Sequence, residues 1–192
     1  MAKSLLFISS RPIFPITGGD QIRTAQQLEL LCEHFEVDVV YITPNQEDID
    51  IRDYIPSVKK IYPFRISKWQ HYLNTMRFLI NKLPLQVNYY YIRHVAIKID
   101  SILRDYDCVF CNNIRTAEYV KGKNSLTKYL DFVDAISMNY DKARHEAKGL
   151  KKIIYEIDYR RCKEYEQKCL DAFDSCAVIS DVDNQYIMSC QK

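Results

Sequence analysis

Short apolar runs rich in β-branched and aromatic residues alternate with longer stretches of helical period along this chain of 192 residues. Such alternation is typical of a parallel sheet whose two faces are covered by helices. The runs predict six strands, at 4–9, 37–42, 58–62, 107–111, 127–132 and 175–180. The sequence therefore predicts an α/β fold with a doubly wound, mostly parallel, Rossmann-like sheet.

Helical patterns fill most of the intervals between these strands. They predict helices at about 20–35, 67–83, 92–104, 116–121 and 139–172, the last of them broken near Gly149. Asp20 is the natural N-cap of the first helix. The 67–83 helix is basic, and its apolar residues form one seam: Ile66, Trp69, Leu73, Met76, Ile80 and Leu83. This seam suits either packing against the core or contact with a membrane surface.

Length and composition predict one domain over residues 1–192, because no internal repeat and no linker rich in Pro, Gly or Ser divides the chain. The net charge of +2 gives no overall field that would recruit nucleic acid. Seven cysteines, an odd number without scaffold spacing, suit reduced thiols in a cytosol. Neither a signal-peptide core nor a membrane-spanning run is visible, so we expect a cytoplasmic protein, with peripheral contact at the inner face of a membrane as an option.

Two of the four glycines, Gly18 and Gly19, lie between the first strand and the first helix. Ligands of doubly wound sheets bind beyond the carboxyl ends of the strands, where the N–H groups that begin a helix attract anions. Glycine would let the backbone approach such an anion closely, although a tight turn explains the pair equally well. Neither a dinucleotide-binding fingerprint nor a phosphate-binding P-loop is present.

Polar residues at other predicted strand ends are further candidates for this site. Asp131 and Asp134 follow the fifth strand, where Asp134 either contacts a ligand or caps the next segment. Asn112 follows the fourth strand and either donates hydrogen bonds to a sugar or shapes a turn. Arg11 and Arg23 either bind a phosphate or an anionic acceptor, or are surface residues.

Several other motifs favour structural interpretations. Cys108 and Cys111 have metal-ligand spacing but fall within a predicted buried strand, and the histidines have no ligand spacing, so we expect no metal site. Glu156 and Glu164 are eight residues apart in a helix, which separates them by about 12 Å, so they favour a solvated face over a joint site. The tyrosines at 89–91 suit stacking on sugar rings or packing in the core.

Three segments together resemble family 4 glycosyltransferases, which have the two-domain GT-B fold. The 11–15 segment with Gly18, Gly19 and Arg23 is similar to their opening loop and helix. Tyr129-Leu130-Asp131-Phe132-Val133-Asp134 looks like their D-x-x-D strand end, and 155–180 looks like their long helix and following strand. The match is to the N-terminal half of these enzymes.

The resemblance implies that the chain is the acceptor-side domain of a retaining, metal-independent enzyme that needs no cofactor. Such an enzyme transfers sugar from a nucleotide-sugar donor to a sugar or lipid-linked acceptor, and a bacterial polysaccharide or glycoconjugate pathway is expected. Asp131 and Asp134 would be the catalytic residues and, with Arg23, would line the acceptor pocket. The other donor- or acceptor-binding residues would be Gly18, Gly19, Arg11 and Asn112. The donor-binding domain is expected outside this chain, which would then be inactive by itself. The alternative is a non-catalytic Rossmann-like module that binds a phosphorylated ligand.

Overall fold

A computed structural model describes residues 3–44 and 49–189. The strands are β1 (Lys3–Ser9), β2 (Phe35–Thr43), β3 (Ile61–Arg65), β4 (Cys108–Asn112), β5 (Thr127–Asp131) and β6 (Ser175–Ala177). The α-helices are α1 (Gly19–His34), α2 (Lys68–Thr75), α3 (Leu85–Tyr90), α4 (Arg93–Ile102), α5 (Ile136–Glu146), α6 (Leu150–Ala172) and α7 (Asp181–Met188). Short 3₁₀ helices lie at Ile51–Asp53, Met76–Leu79, Leu103–Asp105 and Ile114–Tyr119.

The strands of the described residues form one parallel sheet in the order β3-β2-β1-β4-β5-β6. β1 lies between β2 and β4, and successive side chains of a strand point to opposite faces. Leu6 and Ile8 therefore enter one hydrophobic core, and Leu5 and Phe7 enter the other. The chain leaves β3 at one edge and returns beside β1, so the strand order reverses there as in a doubly wound sheet.

Helices cover both faces of the sheet, which confirms the predicted α/β architecture. Ala25 and Leu28 of α1 join the core on one face. The core on the other face includes Val95 and Ile99 of α4 together with Cys169 of α6. Because both faces are covered, the central strands read as unbroken apolar runs rather than as an alternating pattern.

Two strands, β3 and β6, differ from their predicted bounds by three residues, and the other four differ by one or two. β3 begins at Ile61, three residues later than expected, because Val58 is buried in a turn in which its N–H donates to the carbonyl of Ile55. β3 lies at the sheet edge, where Pro63 is tolerated. β6 ends at Ala177 rather than at residue 180, since the N–H of Ile179 bonds the loop after β5 instead of the strand.

The helices also depart from the prediction in part. α3 was not predicted; it begins after Pro84, and the Asp158 carboxylate of α6 accepts from its Leu85 N–H at 2.8 Å. The expected 67–83 helix changes to 3₁₀ geometry after Thr75, and the expected 116–121 helix is entirely 3₁₀. The long helix is divided as predicted, at Gly149, whose φ of 59° favours glycine. No helix within the described residues has both the length and the apolarity needed to cross a membrane.

Candidate functional site

The predicted polar residues meet at the carboxyl ends of the central strands. β1 ends at Ser9, β4 at Asn112 and β5 at Asp131, and the parallel register aligns these ends as neighbours. The N–H of Asn113 donates to the carbonyl of Asp131 at 2.8 Å, which ties the loop after β4 to β5. This edge is the position at which open α/β sheets bind ligands.

Asp131 is completely buried and receives several hydrogen bonds. Arg23 of α1 contacts it through Nε at 3.0 Å and Nη2 at 3.2 Å, and the Gln27 side-chain amide donates at 2.5 Å. The Val133 N–H donates to the same carboxylate at 3.0 Å. This bidentate pair holds α1 against the end of β5 and gives the loop after β5 a fixed starting point.

Asn112 belongs to the same network. It is buried at the end of β4, where its side chain lies 3.4 Å from the Thr24 hydroxyl and 3.4 Å from the Gln27 amide oxygen. The structure therefore brings Arg23, Asp131 and Asn112 together, and their role in a binding site stays a prediction. In this geometry they join α1 to two strand ends.

The backbone takes unusual conformations directly after β4 and β5. Asn113 has a φ of 72° and Val133 a φ of 69°. A β-branched residue in this region is rare, and each such position costs on the order of 1–3 kcal/mol. The Asn113 side chain accepts from the Arg115 N–H at 3.2 Å and so begins the following 3₁₀ helix. Positive φ angles at two adjacent strand ends make this edge a candidate for function.

Asp134 and Glu166 flank the start of α5. Asp134 is partly exposed, and its carboxylate accepts from the Asn139 side-chain amide at 2.6 Å rather than capping a backbone N–H of α5. Glu166 is buried, accepts from the Ser137 N–H at 2.9 Å and also bonds the Ser137 hydroxyl. Burial raises the pKa of Glu166 to about 7, and the nearby charge of Asp134 acts in the same direction. The sequence pattern did not identify Glu166, because α6 is rich in charged residues and only the structure shows that this one lies on the buried face with Cys162 and Cys169.

The glycine loop differs from the prediction in one respect: the N-cap of α1 is Gly18, and Asp20 lies in the first turn. The Asp20 carboxylate accepts from the Gln21 N–H at 3.0 Å and forms an ion pair with Arg11. Gln21 in turn orders the loop, donating to the Pro12 carbonyl at 3.1 Å. The start of α1 therefore already carries a carboxylate, which competes with any other anion there.

Neither glycine of the pair is required by its backbone angles, since Gly18 has a φ of −154°. A methyl group added at Gly18 would meet the Asp20 side chain at 3.2 Å, and one at Gly19 would meet no described atom within 4 Å. Close approach of a ligand at Gly19 stays a prediction. The open space beside this residue is compatible with it.

A cavity of about 420 Å³ opens beside this loop, between the carboxyl ends of β1 and β2 and the helices α2 and α3. Arg11 lines one side, and burial together with the charge of Arg115 lowers its pKa. The other side is formed by Lys68, His71, Tyr89 and Tyr90. Aromatic faces opposite cationic and hydroxyl groups suit a ligand with flat, apolar surfaces and polar edges.

His71 is a cavity residue that the sequence did not identify. Its ring is buried, stacks on Tyr89 with centroids 4.5 Å apart, and places Nδ1 2.8 Å from the Tyr89 carbonyl oxygen. Because a carbonyl only accepts, this contact assigns the proton of the neutral ring to Nδ1 and leaves Nε2 as an acceptor. No local motif signals this role, since the cavity is completed only when α2 packs against α3.

Tyr89 and Tyr90 also line a second cavity of about 330 Å³. Arg115 lies over the Tyr90 ring at 5.2 Å and donates through Nε to the Gln86 side chain at 2.8 Å. Tyr91 instead packs against Tyr119 with ring centroids 5.4 Å apart. The tyrosine cluster is thus divided: two of its rings face cavities and the third packs inward.

The remaining motifs take the structural roles that the sequence favoured. Cys108 and Cys111 are buried free thiols, and burial raises their pKa values to about 11 and about 12. Glu156 pairs with Arg144 and Arg160, as a solvated charged face would. The expectation of no metal site stays a prediction: no three His, Cys, Asp or Glu residues cluster within residues 3–44 and 49–189, and Cys190 lies outside the described residues.

The fold matches that of a known glycosyltransferase, whereas sequence comparison identifies no relative. No family model matches the chain, and no curated protein matches it. Among solved structures it is similar to the UDP-glycosyltransferase UGT2 of Phytolacca americana, solved with UDP-2-fluoro-glucose and pterostilbene, at a TM-score of 0.53 and 11% identity. The match covers 94% of this chain and 48% of UGT2, so the chain spans about half the length of that enzyme. The fold is therefore a glycosyltransferase-like, Rossmann-type α/β fold.

Proposed function

We propose that this chain is the acceptor-side domain of a two-domain glycosyltransferase that transfers sugar from a nucleotide-sugar donor to an acceptor. The observation that carries the proposal is the cavity lined by Arg11, His71, Tyr89 and Tyr90 at the carboxyl ends of the sheet. Its volume fits a compact ring system with hydroxyl groups, and its aromatic walls suit stacking. The UDP-glycosyltransferase fold supports the same class of chemistry.

The residues divide into contact and positioning roles in this proposal. Tyr89 and Tyr90 stack on the acceptor, and Nε2 of His71 accepts a hydrogen bond from the hydroxyl that receives the sugar. Asp134, partly exposed beyond β5, orients a hydroxyl or stabilises developing positive charge. The buried Asp131 acts as a positioning residue through its contacts with Arg23.

The donor diphosphate lies toward the glycine loop in this proposal. Gly18 and Gly19 admit its close approach, and Arg11 supplies positive charge once its pairing with Asp20 is exchanged for the diphosphate. A second domain, in the same polypeptide or in a partner, binds most of the nucleotide-sugar. From the sequence resemblance to family 4 glycosyltransferases we further propose that transfer retains the anomeric configuration of the sugar and needs no metal or cofactor. The product would be a polysaccharide or glycoconjugate.

A non-catalytic module for a phosphorylated ligand is the competing hypothesis. The Asp20 carboxylate in the first turn of α1 does not separate the two hypotheses, because a phosphorylated ligand and a donor diphosphate would meet the same like charge there. The aromatic wall formed by Tyr89 and Tyr90 does separate them, because it contributes little to binding a bare phosphate. The cavity thus favours the glycosyl acceptor.

Ligand-observed NMR on this chain tests the proposal with a panel of glycosides and phenolic acceptors, and with UDP alone. We expect some acceptors to bind with dissociation constants on the order of 0.1–10 mM, because a small ligand that contacts only one of the two domains binds weakly. Tyr90→Ala should weaken this binding about tenfold or more. Tyr155→Ala is the matched control, since Tyr155 packs on Tyr140 and is not part of the cavity wall.

Turnover is then measured as release of nucleoside diphosphate when the donor-binding domain is supplied in the same polypeptide or in trans. His71→Gln should lower this rate even when it is assayed well below the unfolding midpoint, which the loss of a buried, stacked ring is expected to reduce. Binding of UDP without binding of any acceptor would refute the proposal. It would favour a non-catalytic module for a phosphorylated ligand. Equal acceptor binding by the native chain and Tyr90→Ala would remove the cavity as its site.

A further inference from the structure

The apolar seam of the 67–83 segment faces outward instead of packing on the core. Ile66 is buried and Leu83 half-buried, but the members between them are exposed. Six large residues on α2 and the turns that follow are each at least 60% exposed: Trp69, Tyr72, Leu73, Met76, Leu79 and Ile80. We call this set the 69–80 surface. Clustered large apolar residues on a protein surface mark an interaction site.

The opposite side of the same segment explains why the 69–80 surface stays outside. His71 and Phe78 are buried, and the Phe78 ring lies 3.9 Å from the Arg161 guanidinium of α6. His71 stacks on Tyr89 of α3. These anchors fix the rotation of the segment and leave its apolar seam pointing away from the sheet.

Charge is distributed unevenly along the sequence that contains this surface. Eight of the 27 basic residues and none of the 25 acidic residues fall between Tyr54 and Ile99, so the rest of the chain is net acidic. Lys68 and Lys82, both exposed, bracket the 69–80 surface, and the half-buried Arg77 lies between them with its guanidinium 5.5 Å from the Tyr91 ring. A nearly neutral protein thus presents its apolar seam inside a purely basic stretch.

We propose that the 69–80 surface docks on an anionic lipid bilayer and lies in its interface. Exposed Trp and Tyr rings, aliphatic side chains and flanking cations are the chemistry that suits the boundary between headgroups and acyl chains. Trp69 and Tyr72 are already in edge contact, with ring centroids 6.4 Å apart. Apolar insertion and attraction of the cations to anionic headgroups reinforce each other at this boundary.

A second copy of the chain fits this surface less well. A twofold contact would place the basic stretch of one copy against the same stretch of the other. The cations Lys68, Arg77 and Lys82 would then face like charges, and the 54–99 stretch contains no carboxylate to neutralise them. An anionic lipid surface neutralises all of them at once.

Docking has a direct consequence for the cavity beside α2. Lys68 and His71, which line the cavity, belong to the same short helix as Trp69 and Tyr72. A helix with its side chains is about 10–12 Å across, so the cavity would lie within about one helix diameter of the headgroups. This placement is independent of the proposed transfer reaction and would suit a ligand held in the membrane by an apolar chain.

The chain contains one tryptophan, so Trp69 reports on this surface directly. The protein is mixed with vesicles of phosphatidylcholine alone or with about 30% phosphatidylglycerol, at low and high salt. We expect a blue shift of Trp69 emission and quenching by brominated lipid with the anionic vesicles only, and weaker binding at high salt. An unchanged spectrum with both vesicles would overturn the proposal.

Paired variants distinguish specific membrane binding by the 69–80 surface from nonspecific hydrophobic adsorption. Leu79→Ser with Ile80→Ser should weaken vesicle binding by about tenfold or more, whereas Leu150→Ser with Val182→Ser, also at exposed positions, should not. Lys82→Glu should weaken binding at least fivefold, by more than Lys151→Glu on α6. Equal effects of the matched variants would refute the assignment. A blue shift that rises with protein concentration in the absence of vesicles would identify a second copy as the occupant instead.

Discussion

Replacing Asp131 with asparagine tests the buried network at the end of β5. The carboxylate is completely buried and faces donors from Arg23, Gln27 and the Val133 N–H. In Asp131→Asn one acceptor oxygen becomes an NH₂ donor that faces other donors, and the guanidinium loses its partner. Breaking a buried pair in this way costs about 3–5 kcal/mol, which lowers the melting temperature of a domain of this size by about 10 °C.

Urea unfolding followed by circular dichroism measures this cost, with the m-value as a check that the denatured state is unchanged. Asp134→Asn is the matched control, because Asp134 is partly exposed and its bond to Asn139 is worth at most about 1 kcal/mol. In the double variant with Arg23→Met, the two losses should overlap by about 1–3 kcal/mol. A loss below about 1 kcal/mol in Asp131→Asn, or strict additivity with Arg23→Met, would refute a positioning role for Asp131.

Three further substitutions probe the same edge of the sheet. Because the folded pKa of Glu166 is about 7 and its ordinary value is 4.5, the folded protein keeps a proton that the unfolded chain releases, so stability falls as pH rises between these values. Urea unfolding at several pH values should show a loss of about 3 kcal/mol over this range that Glu166→Gln does not show. Val133→Gly should leave stability unchanged or raise it by up to about 1 kcal/mol in thermal melts, since glycine relieves the positive φ; a large loss would argue against strain there. Gly19→Ala should raise stability by about 0.5–1 kcal/mol, because its methyl group meets open space, yet lower turnover if a diphosphate approaches Gly19; unchanged turnover would remove Gly19 from the site.

The sheet was predictable from the sequence because the central strands are buried on both faces. β1 contains an unbroken apolar run from Leu5 to Ile8, and β2 contains one from Val39 to Ile42. The break at Gly149 was predictable for a similar local reason, since the chain there takes a left-handed conformation. The strands of the sheet and the break between α5 and α6 are therefore determined by local sequence.

Features that depend on tertiary contacts were not predictable. The 67–83 seam has the period of a core-facing helix, but the stacking of His71 on Tyr89 and the burial of Phe78 turn it outward. α3 is too short for a periodic signal, and its first N–H is satisfied from α6. The site was partly predictable: Asp131 and Arg23 were both named, but only the structure shows that they bind each other.

The connection from β3 to β4 contributes no strand to the sheet, yet it supplies Lys68, His71, Tyr89 and Tyr90 to the cavity wall. It begins after the edge strand β3 and ends at β4 beside β1, so strands of the sheet fix the positions of both its ends. Within this connection, the residues that face the cavity are separate from Val95 and Ile99, which cover the sheet. Under the proposed function, divergence at the cavity-facing positions alone would change acceptor choice while the apolar positions of α4 keep the scaffold intact.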